Sequence, residues 1–331
     1  MEKYNPPFRI TNNILNLVSK IVENISRIRS HESLDKLPKL RKQNRIRSIY
    51  SSCAIEANSL SINQVSDIIN GKNVVGPQRE IQEVKNAIEA YNIVDKINPF
   101  EIEDLKKIHK MLTIYLVDKP GEFRLNEEGV FEGDKCIFVA PPAKSVPKLM
   151  DGLYLWLNEN SNNIHPLILS SVFHYEFVIV HPFQDGNGRT VRLIQNAILG
   201  KFNSIFYWLP IENYIKDNQK EYYDAIANCH LKGESTIFIE FMLTMINEAL
   251  INVDKDINTH NQNISIYMKK ILDIMEISIP YTAIEIMRKL KLKSKETFRK
   301  NYLNPAIEKG FIRYEVPDKP TSKNQRYIRD I

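Results

Sequence analysis

Apolar residues recur at three- and four-residue spacing through long stretches of the chain, and glycine, at 11 of 331 residues, is too scarce to interrupt them. The pattern is clearest over residues 81–97, 102–116, 146–157, 166–180 and 191–199. Positions spaced in this way share one face of a helix, whereas a half-buried strand needs strict alternation. The sequence therefore predicts a mostly helical protein. Ser61 followed by Gln64 has capping-box spacing, and Gly71 closes the short helix which that box would start. One segment departs from the pattern. Between Gly129 and Pro142, strand formers flank Glu132-Gly-Asp134, which reads as a β-hairpin with a tight turn. A lone hairpin is marginal unless something packs on it, so it serves either as a flap over a ligand or as a bridge between helices.

Composition narrows the class. Hydrophobic residues make up 43% and charged residues 26%, ordinary values for a soluble globular protein. No uninterrupted apolar run approaches the ~20 residues that span a bilayer, and the N-terminus lacks a basic-then-apolar signal pattern. Three widely spaced cysteines (Cys53, Cys136, Cys229) suggest neither a disulfide framework nor a metal site. These features point to the cytoplasm and away from a membrane. The net charge of +5 is uneven: residues 261–331 hold 15 Lys and Arg against 8 Asp and Glu, a local +7. The asymmetry suggests a separate basic module at the C-terminus, joined through the polar stretch 252–263, read as a linker or a frayed helix end.

The chemistry concentrates in His181-Pro-Phe-Gln-Asp-Gly-Asn-Gly-Arg-Thr-Val-Arg192. An apolar helix runs up to it, Pro182 stops that helix, and Gly186 and Gly188 allow a tight turn into the next. Exposed N–H groups and the positive end of the second helix make an anion site suited to a di- or triphosphate. Asp185 is a hard oxygen ligand for Mg²⁺. Arg189 and Arg192, three residues apart, can grip outer phosphates from one helical face. Asn187 can donate to a phosphate oxygen, and His181 titrates near neutrality and can accept a proton from an attacking hydroxyl.

This segment resembles the signature of the Fic family, His-Pro-Phe-x-Asp-Gly-Asn-Gly-Arg-x-x-Arg, at all nine fixed positions. The resemblance implies an all-α fold: a Fic-type helical core with a small β-hairpin flap, plus a C-terminal winged-helix domain. It implies transfer of AMP from ATP, with Mg²⁺, to a Ser, Thr or Tyr hydroxyl of a protein, the chain itself included. His181 would be the base and Asp185 the Mg²⁺ ligand. Gly186, Asn187 and Gly188 would cradle the α- and β-phosphates, and Arg189 and Arg192 would hold the β- and γ-phosphates. Gly188 is the position at which a phosphorylating subgroup departs, so its presence favours nucleotidyl transfer. Gly121-Glu-Phe-Arg124 and the hairpin resemble the family's flap, placing Ile137, Phe138 and Val139 nearest nucleotide and target. Tyr222 and Tyr223 resemble a pair lining the adenine pocket, although a buried core pair fits the same pattern.

Ser52-Cys-Ala-Ile-Glu56 resembles the family's inhibitory motif, (Ser/Thr)-x-x-x-Glu-(Gly/Asn), and departs from it at Ala57. On that reading Glu56 clamps Arg192 in a bidentate ion pair where the γ-phosphate would sit, with Ser52 one turn earlier on the same side. In some relatives the same Glu also serves AMP removal, so a de-AMPylating hydrolase using Glu56 stays open. The division that follows is an N-terminal helical region over 1–100 with the inhibitory helix at about 40–57, the Fic core over 101–251, the linker over 252–263, and a winged helix-turn-helix-like domain over 264–331. In that last part Ser294 would cap a recognition helix that Pro305 kinks or ends, and residues 311–328 would form the wing. Lys293, Lys295, Arg299 and Lys300 would meet DNA phosphates. A DNA-binding regulator with a nucleotide-sensing core is thus the competing function, and a homodimer is compatible with the resemblance. His109, His165, His174 and His230 lack metal-ligand spacing and read as core or surface residues, with His174 placed to brace the loop.

Overall fold

The computed structural model describes residues 4–30, 38–132, 135–262, 265–276 and 279–329, with side chains left aside at 29–30, 38–39, 130–132, 135–138 and 258–262. The chain divides into two compact units, residues 1–24 with 44–250, and residues 25–43 with 251–331. The helices in chain order begin with α1 (Asn12–Ser30), α2 (Pro38–Ile55), α3 (Ile62–Ile69), α4 (Gln78–Tyr91) and α5 (Ile102–Thr113). After the hairpin β1 (Gly129–Glu132) and β2 (Lys135–Val139) come α6 (Val146–Asn160), α7 (Pro166–Val180), α8 (Asn187–Phe202), α9 (Ile211–Asp217), α10 (Gln219–Lys232) and α11 (Thr236–Gln262). The periodic segments are helical as the pattern predicts, except that residues 92–97 and 114–116 lie in turns beyond the ends of α4 and α5. Ser61 and Gln64 exchange side-chain and backbone hydrogen bonds at the start of α3, and Gly71 takes φ 75° just past its end.

The first unit is built around α7 and α8, which pack against each other. Leu167, Ile168, Leu169, Val172, Phe173 and Phe177 leave α7 apolar all round and buried, the condition of a helix enclosed on every side. Helix α8 is also buried, yet it carries Arg189, Arg192, Gln195 and Asn196 inward. Polar groups out of water must find partners, so neighbouring elements have to supply them. Helix α5 packs on α8 and α4 on α5, which brings the polar face of α4 towards that problem.

Strands β1 and β2 pair antiparallel, Gly129 opposite Val139, with a register shift between Val130 and Phe131. The two turn residues, 133 and 134, lie outside the described residues, as do the side chains of Ile137 and Phe138. Val139 is exposed. Cys53 and Cys229 are buried free thiols.

The stretch expected as a linker or frayed end, 252–263, is helical through Gln262 as the continuation of α11. Val253 and Ile257, one turn apart, are both buried, which gives this polar stretch an apolar side after all. Within α11, residues Thr236–Ile257 are long and apolar enough by composition to cross a membrane, with mean hydropathy 1.4. Phe238, Ile239, Met242, Leu243, Ile246 and Leu250 are buried in the protein, as in a core helix.

The second unit continues with α12 (Ile266–Ile274), β3 (Pro280–Thr282) and α13 (Ala283–Lys289). A helical stretch follows in three pieces, Lys295–Thr297, Phe298–Leu303 and Asn304–Glu308, and then β4 (Ile312–Tyr314) and β5 (Arg326–Arg329). The strands form one antiparallel sheet in the order β3-β5-β4. Strand β3 is too short to show in the sequence. Ser294 caps its helix through the Thr297 N–H, as expected. Pro305 does not end that helix, which continues to Glu308. The turn before it is wound as a π-helix, and the Asn304 N–H bonds to the Arg299 carbonyl five residues back. Widening the turn is one way to accommodate a proline that lacks its own N–H.

Candidate active site

Helix α7 ends where the loop begins. His181 is its C-cap and takes the left-handed conformation (φ 47°, ψ 61°), its N–H bonded to Phe177 O at 2.9 Å. A non-glycine residue adopts this conformation at a cost and keeps it only where the surroundings fix it. Arg124, itself buried, does the fixing. Its Nε donates to His181 O at 2.7 Å, and its terminal nitrogens donate to Asn126 O, Pro141 O and Val180 O. One guanidinium thus satisfies carbonyls at the negative end of α7 and ties them to the two flanks of the hairpin. Its charge, after burial, also pushes the His181 ring below its usual pKa, and the Val178 carbonyl is hydrogen-bonded to that ring. His181 is therefore a neutral imidazole at pH 7, able to take a proton.

Inside the loop, the Asn187 amide bridges both backbone groups of Phe183, accepting from its N–H at 2.9 Å and donating to its carbonyl at 2.7 Å. Sequence reasoning gave Asn187 to a phosphate oxygen; in this structure it shapes the turn. Phe183 stacks on His109, with ring centroids 3.6 Å apart. His109 accepts from Gly121 N–H at Nδ1 and donates from Nε2 to Asp185 O, both at 2.9 Å. Burial holds its pKa down to about 4. His109 thus joins the start of the flap region to the loop, a role its sequence context gives no sign of. Gly186 takes φ 82° and packs on His109 and Thr113, so a side chain there would be strained and crowded at once.

The charged groups form a chain. Asp185 accepts at Oδ1 from Arg189 (3.0 Å) and at Oδ2 from Arg79 (3.1 Å), and it caps its own next N–H. Arg189 is buried, its other terminal nitrogen on Glu83 Oε1 at 2.9 Å. Glu83 Oε2 accepts from Asn58 at 2.8 Å. Arg79 and Glu83, one turn apart on α4, pair with the loop rather than with each other. Among the described residues no cluster of three or more His, Cys, Asp or Glu side chains could hold a metal alone.

Glu56 lies where the loop opens onto α8. Arg192 Nη2 meets Glu56 Oε1 at 2.8 Å and Ser52 O at 2.8 Å, while its Nε reaches Ser52 Oγ at 3.3 Å. The pairing is single rather than bidentate: Nη2 donates one hydrogen to Glu56 Oε1 and the other to the Ser52 carbonyl, and Nη1 makes no hydrogen bond to the carboxylate. The Arg192 Nη1 is buried with no hydrogen-bond partner among the described residues. A Cβ built on Gly188 would fall on the Glu56 carboxylate, so that carboxylate sits directly over the first turn of α8.

Tyr222 is buried, packed on Phe238, with its hydroxyl 2.9 Å from His174 Nε2; Tyr223 is about half exposed. His174 Nδ1 meets Gln195 Oε1 at 2.5 Å. His174 therefore braces α8 and α10 rather than the loop, and burial holds its pKa down to about 3.

Comparison with known proteins places this geometry. Residues 99–199 match the Fic/DOC family, and residues 267–328 match the Filamentation induced by cAMP protein Fic-like, C-terminal domain. A crystal structure of a Fic family protein from Desulfovibrio desulfuricans G20 is similar at a TM-score of 0.74 and 39% identity, covering 98% of each chain. Fic-1 from C. elegans (aa134–508) shares the fold at a TM-score of 0.62 and 22% identity, covering 75% of this chain and 73% of that one. A curated relative, Protein adenylyltransferase Fic of Drosophila melanogaster, is 29% identical over 230 residues, 66% of this chain. The chain spans 44% of the length of that relative.

Proposed function

Because the chain belongs to the Fic family, we propose that it is a restrained protein adenylyltransferase, moving AMP from ATP to a hydroxyl side chain of a protein. The observation that carries this reading is the buried, unpartnered Arg192 Nη1 beside the N-terminal turn of α8, an anion site built from a helix end and a guanidinium. On this reading the outer phosphates of ATP bind at Arg192, and His181 takes the proton of the target hydroxyl. The freed oxygen then attacks the α-phosphorus, and the bond to the bridging oxygen breaks as pyrophosphate leaves. Asp185, a single half-exposed carboxylate, fits a cation that takes its other ligands from phosphates and water. Mg²⁺ bound there would neutralise charge on those phosphates. Arg189, fixed between two carboxylates, sets the direction of Asp185.

Glu56 supplies the restraint: its carboxylate holds Arg192 and covers Gly188, the ground a γ-phosphate would need. The test is incorporation of labelled AMP from ATP with Mg²⁺, with and without cell lysate as a source of targets. Glu56→Gly raises labelling and His181→Ala abolishes it; equal labelling by both variants and the wild type would sink the assignment.

For the second unit, a nucleic-acid contact is favoured by Lys293, Lys295, Arg299 and Lys300, all exposed on or beside one helix. Salt-sensitive binding of duplex DNA by the full chain, weakened in Arg299→Glu/Lys300→Glu, is the expected result.

A further inference from the structure

Helix α4 carries no residue of the Fic signature, yet it sends two charged side chains into the loop. Glu83 is the more constrained of them. It is nearly buried, with Arg189 on one carboxylate oxygen and the Asn58 amide on the other. Arg189 is deeper still, with only 3% of its side chain exposed. A guanidinium at that depth needs a fixed counter-charge, and Asp185 alone would be drawn into the role.

We propose that Glu83 is a positioning residue that keeps Asp185 available to a divalent cation by holding the Arg189 charge from the other side. Glu83, Arg189 and Asp185 together carry one net negative charge, and the exposed Arg79 on Asp185 Oδ2 is a displaceable fourth member. Neutralising Glu83 leaves the Arg189–Asp185 pair with no net charge, so a cation approaching Asp185 meets a cancelled field. The same substitution removes the force that draws Arg189 away from Asp185. Both effects weaken cation binding and leave the adenosine end of a nucleotide alone. The inference rests on the reading of Asp185 as the cation ligand of a nucleotide site.

The experiment uses Mn²⁺ as the probe, titrated into the chain with ATP held equimolar to the protein, and the Mn²⁺ retained with the protein in equilibrium dialysis is compared with a protein-free ATP control. Glu56→Gly is the common background, so that the restraint does not enter the comparison. Adding Glu83→Gln should weaken Mn²⁺ binding roughly tenfold, the size expected when one unit charge is removed about 10 Å from a divalent cation at an effective dielectric constant of about 50, with Arg189 lying between the two. Affinity for AMP without metal should stay within about twofold. Glu80→Gln, a neutral substitution on the same helix whose partner is Ser59, should leave Mn²⁺ binding unchanged. Glu83→Asp, which keeps the charge, should lie nearer to the background than Glu83→Gln does, and it also serves if the glutamine variant does not fold. Equal Mn²⁺ affinity with and without Glu83→Gln overturns the proposal. Equal losses in Glu83→Gln and Glu83→Asp, or a parallel loss of AMP affinity, overturn it in favour of packing. Failure of the Glu56→Gly background itself to bind Mn²⁺ with ATP would instead overturn the functional reading.

Discussion

Ala57 should weaken the restraint proposed for Glu56. Helix α2 ends in a Schellman arrangement: Asn58 N–H bonds to Cys53 O at 3.2 Å and Ala57 N–H to Ala54 O at 3.1 Å. This ending puts Ala57 at φ 65°, the left-handed position that glycine fills best. Glu56 is the residue just before it, so the cap geometry aims the carboxylate at Arg192. An alanine in this conformation costs about 1–2 kcal/mol. Replacing it by glycine relieves that strain and returns roughly 0.4–1 kcal/mol to the freer chain. The net gain for the engaged state is therefore about 0.5–1 kcal/mol, a two- to fivefold shift in the population with Glu56 on Arg192. Ala57→Gly should slow AMP incorporation from labelled ATP by that factor. Ala57→Asn should do the same, because asparagine tolerates the conformation. Ala57→Val, branched at Cβ, should raise the rate. In a Glu56→Gly background none of the three should matter. A faster reaction in Ala57→Gly, or an equal effect in the background lacking Glu56, would refute the reasoning.

Other expectations concern the groups that hold the loop. The His181 pKa is lowered by burial and by Arg124, so the ring stays a competent base below the ordinary range; the acid limb of the pH–rate profile of Glu56→Gly should fall below about 6.5. His109 has its folded pKa lowered to about 4, so its contribution to stability is present above about pH 6.5 and is lost as pH falls towards 4. Between pH 7 and 5 that loss is about 2 kcal/mol, and His109→Gln should flatten the urea-denaturation difference between these pH values by that amount. Arg124→Met should cost at least tenfold in labelling rate and about 2–3 kcal/mol in stability, because it strips a charged donor from several carbonyls at once. Arg124→Lys should not restore the rate, since an ammonium cannot reproduce the planar fork; recovery with lysine would show that charge alone matters.

Much of the fold was legible because it is local. Residues 166–180 announce a core helix by being apolar on every side, and the pairs Ser61/Gln64 and Ser294/Thr297 place helix starts through bonds spanning three residues. The tail of α11 does not show as a helix with a packed side because polar residues around Val253 and Ile257 hide a buried edge, and a strand of three residues such as β3 is too short to announce itself. Pro305 does not bring the early end that a proline suggests, for a different reason. A proline removes one donor, and a π turn absorbs that loss without ending the helix.

The site divides along the same line. The loop from His181 to Arg192 could be read because its parts are adjacent in sequence and their chemistry is complementary. The residues that hold it come from elsewhere: Arg124 lies 57 positions from His181, His109 lies 76 from Asp185, and Glu83 lies 106 from Arg189. Arg79 and Glu83 are the instructive case. At i and i+4 on a helix, opposite charges read as a solvated surface pair of little consequence. Here each faces a charge of the opposite sign in the loop, and burial of Arg189 turns one of those contacts into a requirement. No local pattern distinguishes a pair that satisfies itself from one that satisfies a distant site. What distinguishes them is whether a facing core helix carries buried charge that needs a partner, as α8 does with Arg189 and Arg192.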